Sequence, residues 1–111
     1  PLPSVSEPLE RRPFRRALIK LSGEALSGKH ESGLDVAVLN YIAGEIRAVV
    51  DAGHEIAVVV GGGNFVRGEN FSAEGGIDRT VADQMGMLGT LMNALALQSA
   101  IENAGVASRV Q

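Results

Sequence analysis

The chain has 111 residues, 45% hydrophobic and 21% charged, with a formal net charge of −3, which fits one small globular domain. Mild acidity without a block of like charge argues against non-specific nucleic-acid binding, and 4% aromatics supply few platforms for stacking single-stranded bases. Cysteine is absent, which removes disulfides and thiolate metal sites, and no apolar run approaches the ~18 residues that span a bilayer.

The first thirteen residues, PLPSVSEPLERRP, hold all four prolines and little periodicity, so 1–13 read as a flexible leader. Nothing in them reads as a signal peptide, and a soluble, cytoplasmic protein is expected. A short apolar run, Ala17 to Leu21, ends at Ser22-Gly23 and predicts a buried strand followed by a turn. From Asp35 the period changes: Leu39, Ile42, Ala43, Ile46, Val49 and Val50 share one face of a helix. Asp35 is a suitable N-cap, and Gly53 stands where a glycine ends a helix. The run EIAVVV from Glu55 is apolar on both faces, as suits a parallel strand covered by helices on both sides. A long helical stretch from about Asp78 to Asn103, broken near Gly86, leads to GVASRV, which begins a third strand. The order β-α-β-α-β predicts a doubly wound α/β sheet.

Parallel strands bind ligands beyond their carboxyl ends. Two strands here end in similar punctuation, KLSG at Lys20 to Gly23 and GGGN at Gly61 to Asn64, and in a parallel sheet both turns lie on one edge. The chain carries 14 glycines, about 13% against a usual ~7%. Glycine turns let main-chain N–H groups converge on an anion. Lys20 is a cation inside an apolar strand, and Arg67 follows the second turn by three residues. Together they point to a site for several phosphates. Each part has a plainer explanation: a tight connection for the glycines, a snorkelling side chain for Lys20, a solvated loop for Arg67. Asp83 is either a solvent-facing carboxylate near a helix start or an acceptor for sugar hydroxyls of a nucleotide.

Two familiar phosphate motifs fail. Gly23 to Lys29, GEALSGK, matches seven positions of G-x-x-x-x-G-K, but His30 stands where Ser or Thr should meet magnesium, and the helical period starts only near Asp35. After Gly61 and Gly63 a dinucleotide fingerprint needs glycine at position 66, which is Val66. His30 and His54 have no ligand-like partner at i+4, and no serine sits in a G-x-S-x-G elbow, so no metal ligand set is expected. Met85, Met87, Leu88, Leu91, Met92, Leu95 and Leu97 make the last helix apolar nearly all round, as in a helix that is deeply buried or shared between subunits.

Three stretches in order, LIKLSGEAL, VVVGGGNFVRG and DQMGMLGTLMNALAL, resemble the bacterial uridylate kinases, a branch of the amino acid kinase family. The resemblance runs from about Ala17 to Val110. It implies a three-layer αβα, carbamate kinase-like fold with a mainly parallel sheet, and makes 14–111 the N-terminal part of that domain, since the family runs to roughly twice this length. The implied reaction is transfer of the ATP γ-phosphoryl group to UMP with Mg2+, in a homohexamer. By matching positions, Lys20, Leu21, Ser22 and Gly23 contact the ATP phosphates, with Lys20 neutralising the transferring group. Gly62 faces the UMP phosphate, Gly63 the ATP side, and Arg67 clamps phosphate between donor and acceptor. Asp83 holds the uridine ribose, and the helix from about Met85 packs between subunits. The loop Gly28 to Gly33 lies where the family places regulation by GTP, with UTP a further effector. The missing half should hold the adenine pocket, so these 111 residues alone are expected to be inactive. Two other readings stand beside this one: a related kinase acting on a carboxylate, and a non-catalytic nucleotide-binding or assembly module.

Overall fold

The computed structural model describes residues 15–65 and 75–111; the leader at 1–13 lies outside them. Two six-residue strands, β1 (Arg16–Leu21) and β2 (Glu55–Val60), pair in parallel from Arg16↔Glu55 to Leu21↔Val60. A 3-10 helix at Gly23–Ser27 follows β1, helix α1 (Val36–Asp51) connects the strands, and helix α2 (Arg79–Asn103) follows β2.

Local chemistry sets the limits of α1. Asp35 is extended, and its Oδ1 accepts from the N–H groups of Ala37 at 2.9 Å and Val38 at 3.4 Å, satisfying donors that the first helical turn leaves without partners. At the other end Gly53 turns the chain at φ +95, a conformation that any Cβ disfavours. Between these limits the expected apolar face forms, with Leu39, Ala43 and Ile46 buried and Val49 near the exposed margin.

Those side chains join Leu26, Val60, Leu97, Ala100 and Ile101 in one core. Period-two alternation divides the sheet. Leu21, Ile56, Val58 and Val60 turn toward the helices, while Leu18, Lys20, Ala57 and Val59 lie on the other, open face. Cover on both faces was expected of β2. Among the described residues helices cover one, leaving Leu18 70% and Val59 50% exposed. The all-apolar strand pattern is that of a three-layer arrangement of which two layers are present in the described residues.

Two further expectations need correction. Helix α2 is continuous for 25 residues and does not break at Gly86. The carbonyl of Gly86 takes part in the helix surface and also accepts from the Thr90 hydroxyl at 3.2 Å. The segment after Gly105 forms no strand. Gln98 of α2 donates to the Ser108 carbonyl at 3.2 Å, so a group that a ladder would need is bonded to a helix instead. A gap of about 790 Å³ separates this segment from β2. Arg47 of α1 donates to the Ala104 carbonyl at 2.8 Å, closing the end of α2 against α1.

The Asp35 cap is directly testable. Asp35→Ala is expected to lower stability by about 1 kcal/mol, and Asp35→Asn by much less, because either oxygen-bearing side chain can accept from the helix start. Thermal unfolding of the two variants side by side checks the difference; equal losses would remove the cap as the cause.

Candidate functional site

Parallel pairing brings the two strand-end turns together, as expected from KLSG and GGGN. Lys20↔Val59 and Leu21↔Val60 are the last pairs of the register, so Ser22-Gly23 and Gly61-Gly62 leave the sheet side by side. Contact between the turns is intimate. A Cβ on Gly23 would stand 2.6 Å from Gly63 N, 2.8 Å from Asn64 Oδ1 and 2.9 Å from Gly61 O. Only a residue without a side chain lets these two backbones meet.

The remaining glycines of the triplet serve different neighbours. A Cβ on Gly62 would lie 2.5 Å from the Gly86 carbonyl oxygen and 2.7 Å from Thr90 N, so Gly62 packs directly on the backbone of α2. Gly89 answers from the helix side, where a Cβ would come within 3.3 Å of Gly62 O and of Phe65 Cβ. Gly63 instead faces the carboxylate of Glu24, the second residue of the 3-10 helix. Close backbone packing therefore accounts for three glycines, and the same packing fixes the main chain around the carboxyl end of both strands.

A pair of buried amides holds the turn. Asn93 is 0% exposed and Asn64 3% exposed. Asn64 Nδ2 donates to Asn93 Oδ1 at 3.0 Å and to the Gly33 carbonyl at 2.8 Å. Asn93 Nδ2 donates to Asn64 Oδ1 at 2.7 Å and to the Gly61 carbonyl at 2.7 Å. All four amide hydrogens are used, and reversing either amide would set an oxygen against a carbonyl. The Asn64 carbonyl also accepts from Gly33 N at 2.9 Å, so the loop at 28–33 is tied to the glycine turn from two sides.

The residues expected at the site are distributed as follows. Lys20 stands exposed on the open face of the sheet, one residue before Leu21, which turns toward the core. Ser22 is the cap position of the 3-10 helix, with no capping hydrogen bond from its side chain. Gly23, Gly62 and Gly63 lie in the meeting turns. Arg67 falls outside the described residues. Asp83 is on α2, exposed and paired with Arg79 at 3.1 Å four residues before it. Its spacing to Gly86, Thr90 and Asn93 is i+3, i+7 and i+10, which sets Asp83 on the helix face that meets the glycine turn, one turn further out.

Asn93, Glu24 and Gly89 were not singled out from the sequence. For Asn93 the signal is present in LMNALAL, an amide within an apolar stretch of helix, where burial demands hydrogen-bond partners. Glu24 and Gly89 carry no such signal, because their neighbours come from distant parts of the chain. Among the described residues no cluster of three or more His, Asp or Glu side chains could hold a metal ion, and no helix is long and apolar enough to cross a membrane.

Comparison with known proteins adds to this geometry. A model of the amino acid kinase family matches residues 15–110. Similar proteins include the uridylate kinases of Sulfurovum sp. (strain NBC37-1), 53% identical over 97 residues, and of Helicobacter hepaticus (strain ATCC 51449 / 3B1), 52% identical over 98 residues. These matches cover 87% and 88% of this chain but 41% and 42% of the relatives. Among solved structures, the UMP kinase of Bacillus anthracis superposes with a TM-score of 0.73 at 44% identity, over 83% of this chain and 37% of its own. The UMP kinase of Ureaplasma parvum also gives a TM-score of 0.73, at 35% identity, over 86% of this chain and 39% of its own. The chain spans about two-fifths of the length of the curated relatives it matches.

The steric roles of the glycines predict an order of tolerance. Gly62→Ala forces its Cβ into helix backbone and is expected to cost about 1–3 kcal/mol, in the range for overpacking. Gly63→Ala meets the end of a side chain and not backbone, and is expected to cost less. Chemical denaturation of both variants decides: a Gly63 variant weaker than the Gly62 variant would overturn the packing described for α2.

Proposed function

The chain belongs to the amino acid kinase family, and on that premise we propose that it is the N-terminal part, residues 14–111, of a kinase that transfers the γ-phosphoryl group of ATP to UMP, giving UDP and ADP. The observation that carries this reading is the contact between Ser22-Gly23 and Gly61–Asn64 at the carboxyl ends of a parallel strand pair. It puts main-chain donors from both turns beside one another where a polyphosphate would lie. Relatives named uridylate kinase at about half identity support UMP as the acceptor.

In this reading Lys20, Leu21, Ser22, Gly23 and Gly63 face the ATP phosphates, Gly62 the UMP phosphate, and Asp83 the uridine ribose. Lys20 and Arg67 offset charge on the phosphoryl group in transit. The chain's own residues supply position and electrostatics, which is most of what phosphoryl transfer requires. Mg2+ would screen the phosphate charges when bound with ATP. Glycine N–H groups already in place need no reorganisation as charge develops, and that makes them effective stabilisers.

We further propose a cytoplasmic homo-oligomer, a hexamer, in pyrimidine nucleotide synthesis, with GTP or UTP acting through the loop at 28–33. Support for assembly comes from α2. Met87, Leu88, Leu91, Met92 and Leu95 are exposed, and Leu88, Leu91, Met92 and Leu95 form a helical stripe.

Incubating the complete polypeptide with ATP, Mg2+ and a panel of UMP, glutamate and aspartate tests the acceptor. UDP formation is the expected result; phosphorylation of a carboxylate alone, or nucleotide binding without turnover, would favour the other readings. The 111 residues by themselves are expected to form no UDP. Lys20→Ala is expected to lower the transfer rate by on the order of 10²-fold, as for loss of an oxyanion donor, and an unchanged rate removes Lys20 from the mechanism. Leu91→Glu is expected to reduce the mass measured by sedimentation; an unaltered mass places the subunit contact elsewhere.

A further inference from the structure

Helix α2 carries an amide at a fully buried position. Asn93 is wholly buried between Met92 and Ala94, where a leucine would add apolar burial and helix propensity. Its hydrogen bonds explain what the amide does there. Asn93 Nδ2 holds the Gly61 carbonyl at 2.7 Å. Carbonyl and N–H of one trans peptide unit point in opposite directions, and no cis peptide occurs among the described residues. Drawing the Gly61 carbonyl toward α2 therefore turns the Gly62 N–H away from it. A peptide between two glycines is among the freest in any chain, and without an anchor it can rotate as a unit. Asn64 steadies the anchor from the other side, through the reciprocal bonds to Asn93 at 2.7 and 3.0 Å.

We infer that Asn93 is a positioning residue for phosphoryl transfer: it sets the Gly61–Gly62 peptide so that the Gly62 N–H faces the phosphate-binding side and not the helix. The inference rests on the reading of the glycine turn as a phosphate site. It concerns a residue that touches no nucleotide and acts through the direction of a main-chain donor. Because a donor beside the reacting phosphates holds them in line for transfer, and alignment matters more to the transition state than to ground-state binding, the effect should fall on kcat.

The test uses Asn93→Leu and Asn93→Asp in the complete polypeptide, with activity expressed per folded molecule. Asn93→Leu is expected to lower kcat for UMP phosphorylation at least ~10-fold while KM for ATP and UMP stays within ~3-fold, a split typical of an interaction realised in the transition state. Asn93→Asp keeps the shape but, when ionised, presents an acceptor to the Gly61 carbonyl. A buried carboxyl facing a carbonyl oxygen has a raised pKa, and its protonated form recovers the donor. The ratio of its kcat to that of the unaltered protein is thus expected to climb as pH falls from 8 to 6. Glu24 beside Gly63 and Lys20 on the sheet are common to both proteins, so the ratio isolates the change at position 93.

A kcat within twofold of the unaltered protein, or a loss that follows only the folded fraction, overturns the inference. If Asn93→Leu does not fold, the pH profile of Asn93→Asp decides, a flat ratio overturning it. Should the unaltered protein fail to phosphorylate UMP, the functional reading fails separately. The anchor is then read from relaxation dispersion at the Gly62 amide, expected in Asn93→Asp at pH 8; its absence overturns the anchor.

Discussion

The contact on which the structure depends is one of backbone against backbone, between the turn at 61–64 and its two neighbours. Gly23 approaches it from the end of β1, and Gly86, Gly89 and Thr90 approach from α2. Neither Gly23 nor Gly62 has room for a Cβ at these approaches. Side chains elsewhere build the core, but here the chain dispenses with them so that three segments share one small volume. The run of glycines at the end of a strand is thus a packing requirement first.

Such a contact has little area to bury, so polar bonds must hold it. Asn64 and Asn93 do this with every amide hydrogen engaged. Loss of a partner would leave a buried polar group unsatisfied, at a cost of about 1–3 kcal/mol. Full satisfaction makes the arrangement selective, since any shift of the turn, of the loop at 28–33 or of α2 breaks at least one bond. Stability and placement of the candidate site are thereby the same question. The ion pair Arg16–Glu55, by contrast, joins exposed groups at 2.8 Å. Its hydrogen bond to Glu55 raises the guanidinium pKa, and in solvent such a pair contributes little.

Features determined within a few residues were legible in the sequence. Asp35 followed by an apolar periodic run announces a capped helix, and Gly53 announces its end, because both effects act inside one turn. The parallel pairing and the meeting of the two turns were legible from the order of elements. What depended on distant partners was not. Asn64 and Asn93 are separated by 29 residues, and nothing local says that one amide will find the other. Gly86 reads as a helix breaker by propensity, yet the helix runs through it because its backbone lies against Gly62. The last residues have a strand-like pattern, but among the described residues they pair with neither strand, and Gln98 takes the Ser108 carbonyl. Asp83 was legible as a carboxylate at a helix start, while its position relative to the glycine turn needed the helix face.

The register of β1 on β2 has a consequence of its own. The strands are joined across 39 residues, from Arg16 to Glu55, so no tight hairpin dictates which residues align. A slip of one residue would reverse the faces of the slipped strand, turning Lys20 inward and Leu21 outward. It would also carry Gly23 along the strand axis by about 3.3 Å, out of its contact with the neighbouring turn. The apolar side chains of the sheet therefore act as a ruler. By burying Leu21 beside Val60, they measure out the distance at which two stretches of bare backbone come to rest against each other.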